Sequence, residues 1–165
     1  SGIEAATLPP VPPSAARGRT LYRENCVPCH GETGAGDGPD TKRLHQQPAD
    51  FTSVVFMRRE TPLDFFTMIT MGRRKRGMPD WSSLSVQQRW DLIAYVWTLA
   101  HAGADRAPAK RLWAERCAGC HGATGTGVAG GAPDLVVPGS LGDRADRTLF
   151  VQLSRGPHAA QLMNG

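Results

Sequence analysis

No apolar run in the 165-residue chain approaches the roughly 18 residues that a membrane-spanning helix needs. Nothing in this segment is therefore expected to cross a bilayer. A lipid anchor or a spanning helix outside it stays open as an alternative. No β-rich run precedes a cysteine pair, which removes the strand–helix setting of a thioredoxin-like redox site. The glycine-rich stretch Gly31 to Pro39 lacks a Gly-Lys-Ser/Thr ending, so it does not read as a nucleotide-phosphate loop. It reads as a tight loop that lets backbone approach a bound group. No leader is visible at Ser1, and the sequence is taken as processed. The length leaves room for one ordinary domain or two small ones.

Cysteine is scarce and concentrated. All four cysteines fall in two runs, Cys26-Val27-Pro28-Cys29-His30 and Cys117-Ala118-Gly119-Cys120-His121. C-x-x-C-H is the attachment signature of a c-type haem. Two thiols at this spacing can each add to one vinyl group of a porphyrin. The histidine that follows then lies under the ring with one imidazole nitrogen free for iron. A four-thiolate zinc site would leave both histidines idle and would have to join pairs 91 residues apart. A disulfide framework leaves the histidines unexplained as well. The expectation is two covalent c-type haems, with Cys26, Cys29, Cys117 and Cys120 as attachment points and His30 and His121 as iron ligands.

Two motifs at this distance favour two small units. A unit of about 90 residues is marginal on protein burial alone, and a covalent macrocycle at its centre makes up the deficit. Gly 19 and Pro 13 indicate many loops, as suits a chain wrapped around a flat group. Residues 1–13, with Pro9-Pro10-Val11-Pro12-Pro13, read as an extended tether. Ser14 is a helix N-cap, and Ala15 to Asn25 is a helix leading into Cys26. Asp40 to Val55 shows no regular pattern. Thr61-Pro62-Leu63-Asp64 opens a helix running to about Met71 and stopping near Gly72. Ser85-Val86-Gln87-Gln88 opens another, about Val86 to Leu99. It carries Trp90, Ile93, Ala94 and Trp97 on one face, with Leu92, Tyr95 and Leu99 beside it. Met57, Met68 and Met71 read as core filler, whereas Met78, in Gly77-Met78-Pro79, is loop-borne.

This unit resembles a class I cytochrome c. Gly18 and Tyr22 stand eight and four residues before Cys26, and Asp91-Leu92-Ile93-Ala94-Tyr95 matches the last helix of that family. The resemblance implies an all-α fold in which the first and last helices cross at Gly18, packed by Tyr22, Leu92 and Tyr95. It also implies that Met78 is the second axial ligand.

The second unit repeats the pattern with departures. Ala102 to Pro108 joins the units, and a helix over Ala109 to Arg116 leads into Cys117. Trp113 takes the place of Tyr22, and Ala109 that of Gly18. A helix from about Arg147 to Ser154, capped by Asp146 and ended by Gly156, follows. Met163 lies 42 residues after His121, against 48 between His30 and Met78, and is the candidate ligand, with His158 as its rival. A closing helix is not found, so the sequence reads as a fragment of a longer chain, with cover of that face by another element or subunit as the alternative. The domain reading is residues 14–101 and an incomplete 102–165.

Histidine–methionine ligation fills both axial positions and suits electron transfer without bond making. The expectation is an electron-transfer protein, not an enzyme in itself: a carrier or a module of a respiratory or photosynthetic complex. The alternatives are a dihaem peroxidase or oxidase with one open iron, and a redox module of a larger membrane protein. Covalent haem attachment implies the periplasmic side of the membrane. Net charge is +4. Arg58, Arg59, Arg73, Arg74, Lys75 and Arg76 concentrate it beside Met78. They could be a solvated loop, partners of haem propionates, or a docking patch for an acidic redox protein. Nucleic acid is not an expected partner.

Overall fold

The computed structural model describes residues 8–129, 132, 134–136 and 144–155. Among them the chain is helical and contains no strand, only an isolated bridge between Arg73 and Met78. No helix among the described residues is long and apolar enough to cross a membrane.

Local chemistry starts and stops the helices where the sequence marks them. Helix α1 spans Ala15–Asn25, and its Ser14 side chain accepts from the Arg17 N–H. Helix α2, Val27–His30, follows almost directly and carries the second half of the first motif. A 3-10 turn at Pro39–Arg43 and a short helix α3, Val54–Met57, give shape to the stretch that has no periodicity. Helix α4 is Pro62–Met71 and α5 is Val86–Leu99. Both begin in reciprocal capping boxes. Thr61 exchanges bonds with Asp64, and Ser85 with Gln88. Helices α6, Ala107–Arg116, α7, Ala118–His121, and α8, Asp146–Arg155, belong to the second unit. Helix α6 starts two residues earlier than the sequence suggests, because Pro108 sits comfortably in a first turn.

The core of the first unit is built where α1 crosses α5. Gly18 makes the crossing possible. A Cβ there would lie 1.9 Å from the Asp91 carbonyl oxygen and 2.9 Å from the Tyr95 Cβ. Backbone cannot yield as a side chain can, so only glycine fits. Tyr22 is fully buried and packs its ring 5.2 Å from Tyr95. Leu92, expected at this contact, is buried in the same core as Tyr22, and both also line the cleft described below. Asp91 does the unforeseen work at the crossing. Its side chain is 2 % exposed and accepts from the Arg17 guanidinium (2.6 and 2.8 Å), the Ser14 N–H (2.7 Å) and Gln87 (3.0 Å). Burial pushes the Asp91 carboxyl up, but these donors outweigh it and hold it below its ordinary value.

Two further expectations change. The end of the N-terminal tether is fastened: the Val11 N–H donates to Gln87, and Arg17 donates to the Pro12 carbonyl. Met57 is buried and Met68 half-buried, as filler would be, but Met71 is 71 % exposed. Its position in the last turn of α4 matches the apolar repeat, yet its side chain faces outward while Ile69 in the same turn is buried. On α5 the fully buried positions include Trp90, Leu92, Ile93, Val96 and Leu99, while Ala94 and Trp97 are half-buried.

Candidate haem site

Helix α1 and the α4–α5 pair enclose a cleft of about 360 Å³, within the range of cofactor pockets, roughly 300–1,000 Å³. Cys26, Cys29 and His30 line it, and so does Met78. The rest of its lining is mainly apolar, with Phe51, Phe65, Ile69, Trp81, Leu92 and Val96 among it. Four residues that the sequence puts into one site are thus brought to one cavity, although Met78 is 48 residues from His30.

Each of these side chains is aimed by local backbone. The His30 N–H bonds to the Cys26 carbonyl at 2.8 Å, so the motif is one helical turn. Gly31 ends that turn with φ 76°, which a side chain would resist. The buried Tyr22 hydroxyl donates to the Gly31 carbonyl at 2.9 Å and ties α1 to the turn. The His30 ring lies parallel to Phe51, 4.5 Å between centroids and 16° apart. Its Nδ1 is 3.4 Å from the Ala49 carbonyl oxygen. Donation there leaves Nε2 with its lone pair free to bind a metal. Burial lowers the His30 pKa, against the Ala49 bond, and keeps the ring neutral as ligation requires. Phe51 is the site residue that sequence reasoning missed; it sits in the aperiodic stretch, and no motif marks it.

The thiols support the same fit. Burial, with Cys29 nearby, pushes Cys26 up to about 12, and burial with Asp40 raises Cys29. Both thiols reach the cleft, where each can form a thioether bond to a bound ring. Among the described residues, no three His, Cys, Asp or Glu side chains gather to hold a bare metal ion. Two thiols, an imidazole and a thioether around an apolar slot fit a flat, iron-bearing macrocycle.

The Met78 loop is a small hairpin. The Arg73 N–H donates to the Met78 carbonyl (2.9 Å) and the Met78 N–H to the Arg73 carbonyl (3.2 Å). Arg74 pairs with Asp80 at 2.5 Å. All four cations, Arg73 to Arg76, are exposed.

In the second unit, helix α6 leads into α7 as α1 leads into α2. The His121 N–H bonds to the Cys117 carbonyl at 2.9 Å, and Gly122 has φ 77°. Gly34 and Gly36 find counterparts in Gly125 and Gly127. The Gly36 N–H bonds to the His30 carbonyl, and the Gly127 N–H to the His121 carbonyl, both at 2.9 Å. The Phe51 N–H bonds to Gly34 at 2.7 Å, and the Leu135 N–H to Gly125 at 2.8 Å. Asp50 and Asp134 each accept from the N–H two residues on, at 2.8 Å. Leu135 therefore stands where Phe51 does. Trp113 takes Tyr22's part: its indole N–H donates to the Ala123 carbonyl at 3.0 Å, and its ring lies 6.2 Å from His121. Met163 and His158 lie outside the described residues.

Comparison with known proteins agrees with this repeat. Residues 13–96 match the family described as cytochrome c oxidase, cbb3-type, subunit III, and residues 107–161 match cytochrome c. The chain is 29% identical over 156 residues to the cbb3-type cytochrome c oxidase subunit FixP of Rhizobium etli, covering 87% of this chain and 52% of that protein. It is 31% identical over 155 residues to the subunit CcoP of Cereibacter sphaeroides, covering 84% and 51%. The chain thus spans about half the length of these curated relatives. A chain of a reducing HAO-like protein complex from Kuenenia stuttgartiensis is 24% identical, with a TM-score of 0.47, over 74% of this chain and 66% of that one. With two cytochrome c-type domains in tandem, each built on a C-x-x-C-H turn, the chain belongs to the cbb3-type cytochrome c oxidase subunit III family.

Proposed function

We propose that this chain passes single electrons through two covalently bound c-type haems, as part of a membrane-bound respiratory complex. The observation that carries the reading is the convergence of Cys26, Cys29, His30 and Met78 on one apolar cleft. When bound, haem c supplies a one-electron iron couple. Cys26 and Cys29 would hold it by thioether bonds, and His30 and Met78 would supply the imidazole and thioether that bind its iron. Phe51 and the Ala49 carbonyl keep the imidazole in one orientation. The buried wall of Phe65, Leu92 and Val96 excludes water, so little rearrangement accompanies electron arrival or loss. Cys117, Cys120 and His121 would hold the second haem, with Met163 the candidate for its second ligand. The units are residues 14–101 and 102–165.

The haem domains face the periplasm, where c-type haem is attached. An acidic redox partner docks near Arg73, Arg74, Lys75 and Arg76, whose exposure beside the cleft suits electrostatic steering. Electron-transfer rates then fall as salt rises. Pyridine haemochrome measurement with intact mass tests the core of the reading: two covalent haems per chain are expected. A weak band near 695 nm, a general marker of methionine–iron bonding, is expected to vanish for the first haem in Met78→Ala. Rapid carbon monoxide binding to the reduced wild type would show an open iron and defeat the closed, two-ligand reading.

A further inference from the structure

The run Arg73-Arg74-Lys75-Arg76 looks uniform in sequence, but the backbone sorts it. Residues 74–76 form a 3-10 turn, closed by the Arg76 N–H to Arg73 carbonyl bond at 2.7 Å and by Gly77 at φ 85°. Arg73 precedes the turn and Arg76 ends it, and both line the cleft. Arg74 is held by Asp80. Lys75 is exposed and outside the cleft lining.

Haem c carries two propionate carboxylates on the ring edge opposite the two positions that take the thiols. Cys26 and Cys29 fix the one edge and so direct the other away from themselves. Of the residues lining the cleft, Arg73 and Arg76 are the two that carry permanent positive charge; His30 is neutral, and Glu60 is the single carboxylate. We infer that Arg73 and Arg76 are the binding site for the cofactor's two carboxylates, while Lys75 belongs to the outer surface alone. This rests on the haem reading proposed above. A guanidinium meets a carboxylate through parallel N–H···O bonds, short and charge-assisted. The site also has leverage on the iron. The backbone of Arg73 pairs with that of Met78, so a carboxylate clamped by Arg73 steadies the hairpin that presents the sulfur. The reduced haem carries one more negative charge than the oxidised haem, so both arginines raise its reduction potential and Glu60 lowers it.

The test uses the matured, haem-loaded protein and its Arg73→Gln, Arg76→Gln, Lys75→Gln and Glu60→Gln variants. Covalent haem is counted, and the potential of the first haem is measured at low and high salt. Arg73→Gln and Arg76→Gln are each expected to shift the one-electron equilibrium about tenfold toward the oxidised form, a drop of about 59 mV. The drop persists at high salt, because contact pairs are screened less than separated surface charges. Lys75→Gln leaves the potential at its wild-type value, and Glu60→Gln raises it. Equal drops in Arg73→Gln, Arg76→Gln and Lys75→Gln that vanish at high salt would overturn the assignment. So would a wild-type potential in the Arg73→Gln/Arg76→Gln double variant. A wild-type chain without covalent haem would instead sink the carrier reading itself, and the pigment count separates that failure from the other two.

Discussion

The two units share a motif turn and differ in what is packed against it. From His30 to Asp50 is 20 residues, and from His121 to Asp134 is 13, although the flanking backbone bonds match. In the first unit the longer loop forms the 3-10 turn at Pro39–Arg43 and brings Leu44, Gln46, Gln47 and Pro48 to the cleft wall. The first unit also covers its entry helix with α5, through Gly18 and Asp91. The second places Ala109 at the equivalent of Gly18, and α6 has no fully buried residue among those described. A haem-binding turn can thus be duplicated on its own, because its geometry is local. The core around it is not local, and here it differs.

The crossing offers the sharpest way to break this comparison. Gly18→Ala puts a methyl group into the Asp91 backbone, and is expected to cost about 3 kcal/mol in the first unit, by overpacking against atoms that cannot move. The reciprocal Ala109→Gly is expected to cost only about 1 kcal/mol, from helix propensity. Chemical denaturation followed by helical circular dichroism measures both. Equal losses would mean that α6 is covered as tightly as α1.

The next effect is at Asp91. Asp91→Asn loses charge-assisted bonds from Arg17 and Ser14, and about 2 kcal/mol of stability is expected to go with them. The sign of the pH dependence follows from its lowered pKa. The unfolded chain binds the proton more readily, so the stabilisation is complete above the ordinary aspartate value of about 4. It disappears as pH falls through the lower folded value. Acid titration of the wild type should show the first unit weakening below about pH 4, and Asp91→Asn should flatten that slope. An unchanged slope would remove Asp91 from the account.

A smaller change converts one unit toward the other. Phe51→Leu places at Phe51 the residue that the second unit carries as Leu135. The lost stacking on His30 and the tilted ring contact with Phe65 are worth about 1 kcal/mol. The haem should remain covalently attached, but its paramagnetic methyl resonances should move as the imidazole plane is released. Unmoved resonances would show that the Ala49 bond alone orients the ring. The smallest effect is expected at the tie between helix and turn. Tyr22→Phe leaves the Gly31 carbonyl without its donor, and should lower stability by about 1 kcal/mol, measurable as a fall in Tm.

Much of the fold could be read from the chain because it is set by near neighbours. Ser14, Thr61 and Ser85 announce helix starts, since a cap and its N–H are three residues apart. The C-x-x-C-H runs are legible because two thiols and an imidazole must sit on one turn to reach one ring. Met78 was legible from its loop setting and from the resemblance, but the sequence could not say what shares its cleft. Phe51 was hidden because Asp40 to Val55 has no period, and a ring that stacks across 21 residues leaves no local trace. Met71 was misread because an apolar repeat marks a helix face without saying where the neighbour that covers it ends.

By itself the sequence determined two attachment turns and the capped limits of its main helices, which rest on bonds between residues one to four apart, while the all-α fold came from its family resemblance. Only the tertiary structure decided that Asp91 would staple α1 to α5, that Phe51 would lie on His30, and that Arg73 and Arg76 would face the cleft while Arg74 turns to Asp80. Those outcomes depend on which distant surfaces meet once water is excluded, and spacing along a chain carries no record of that.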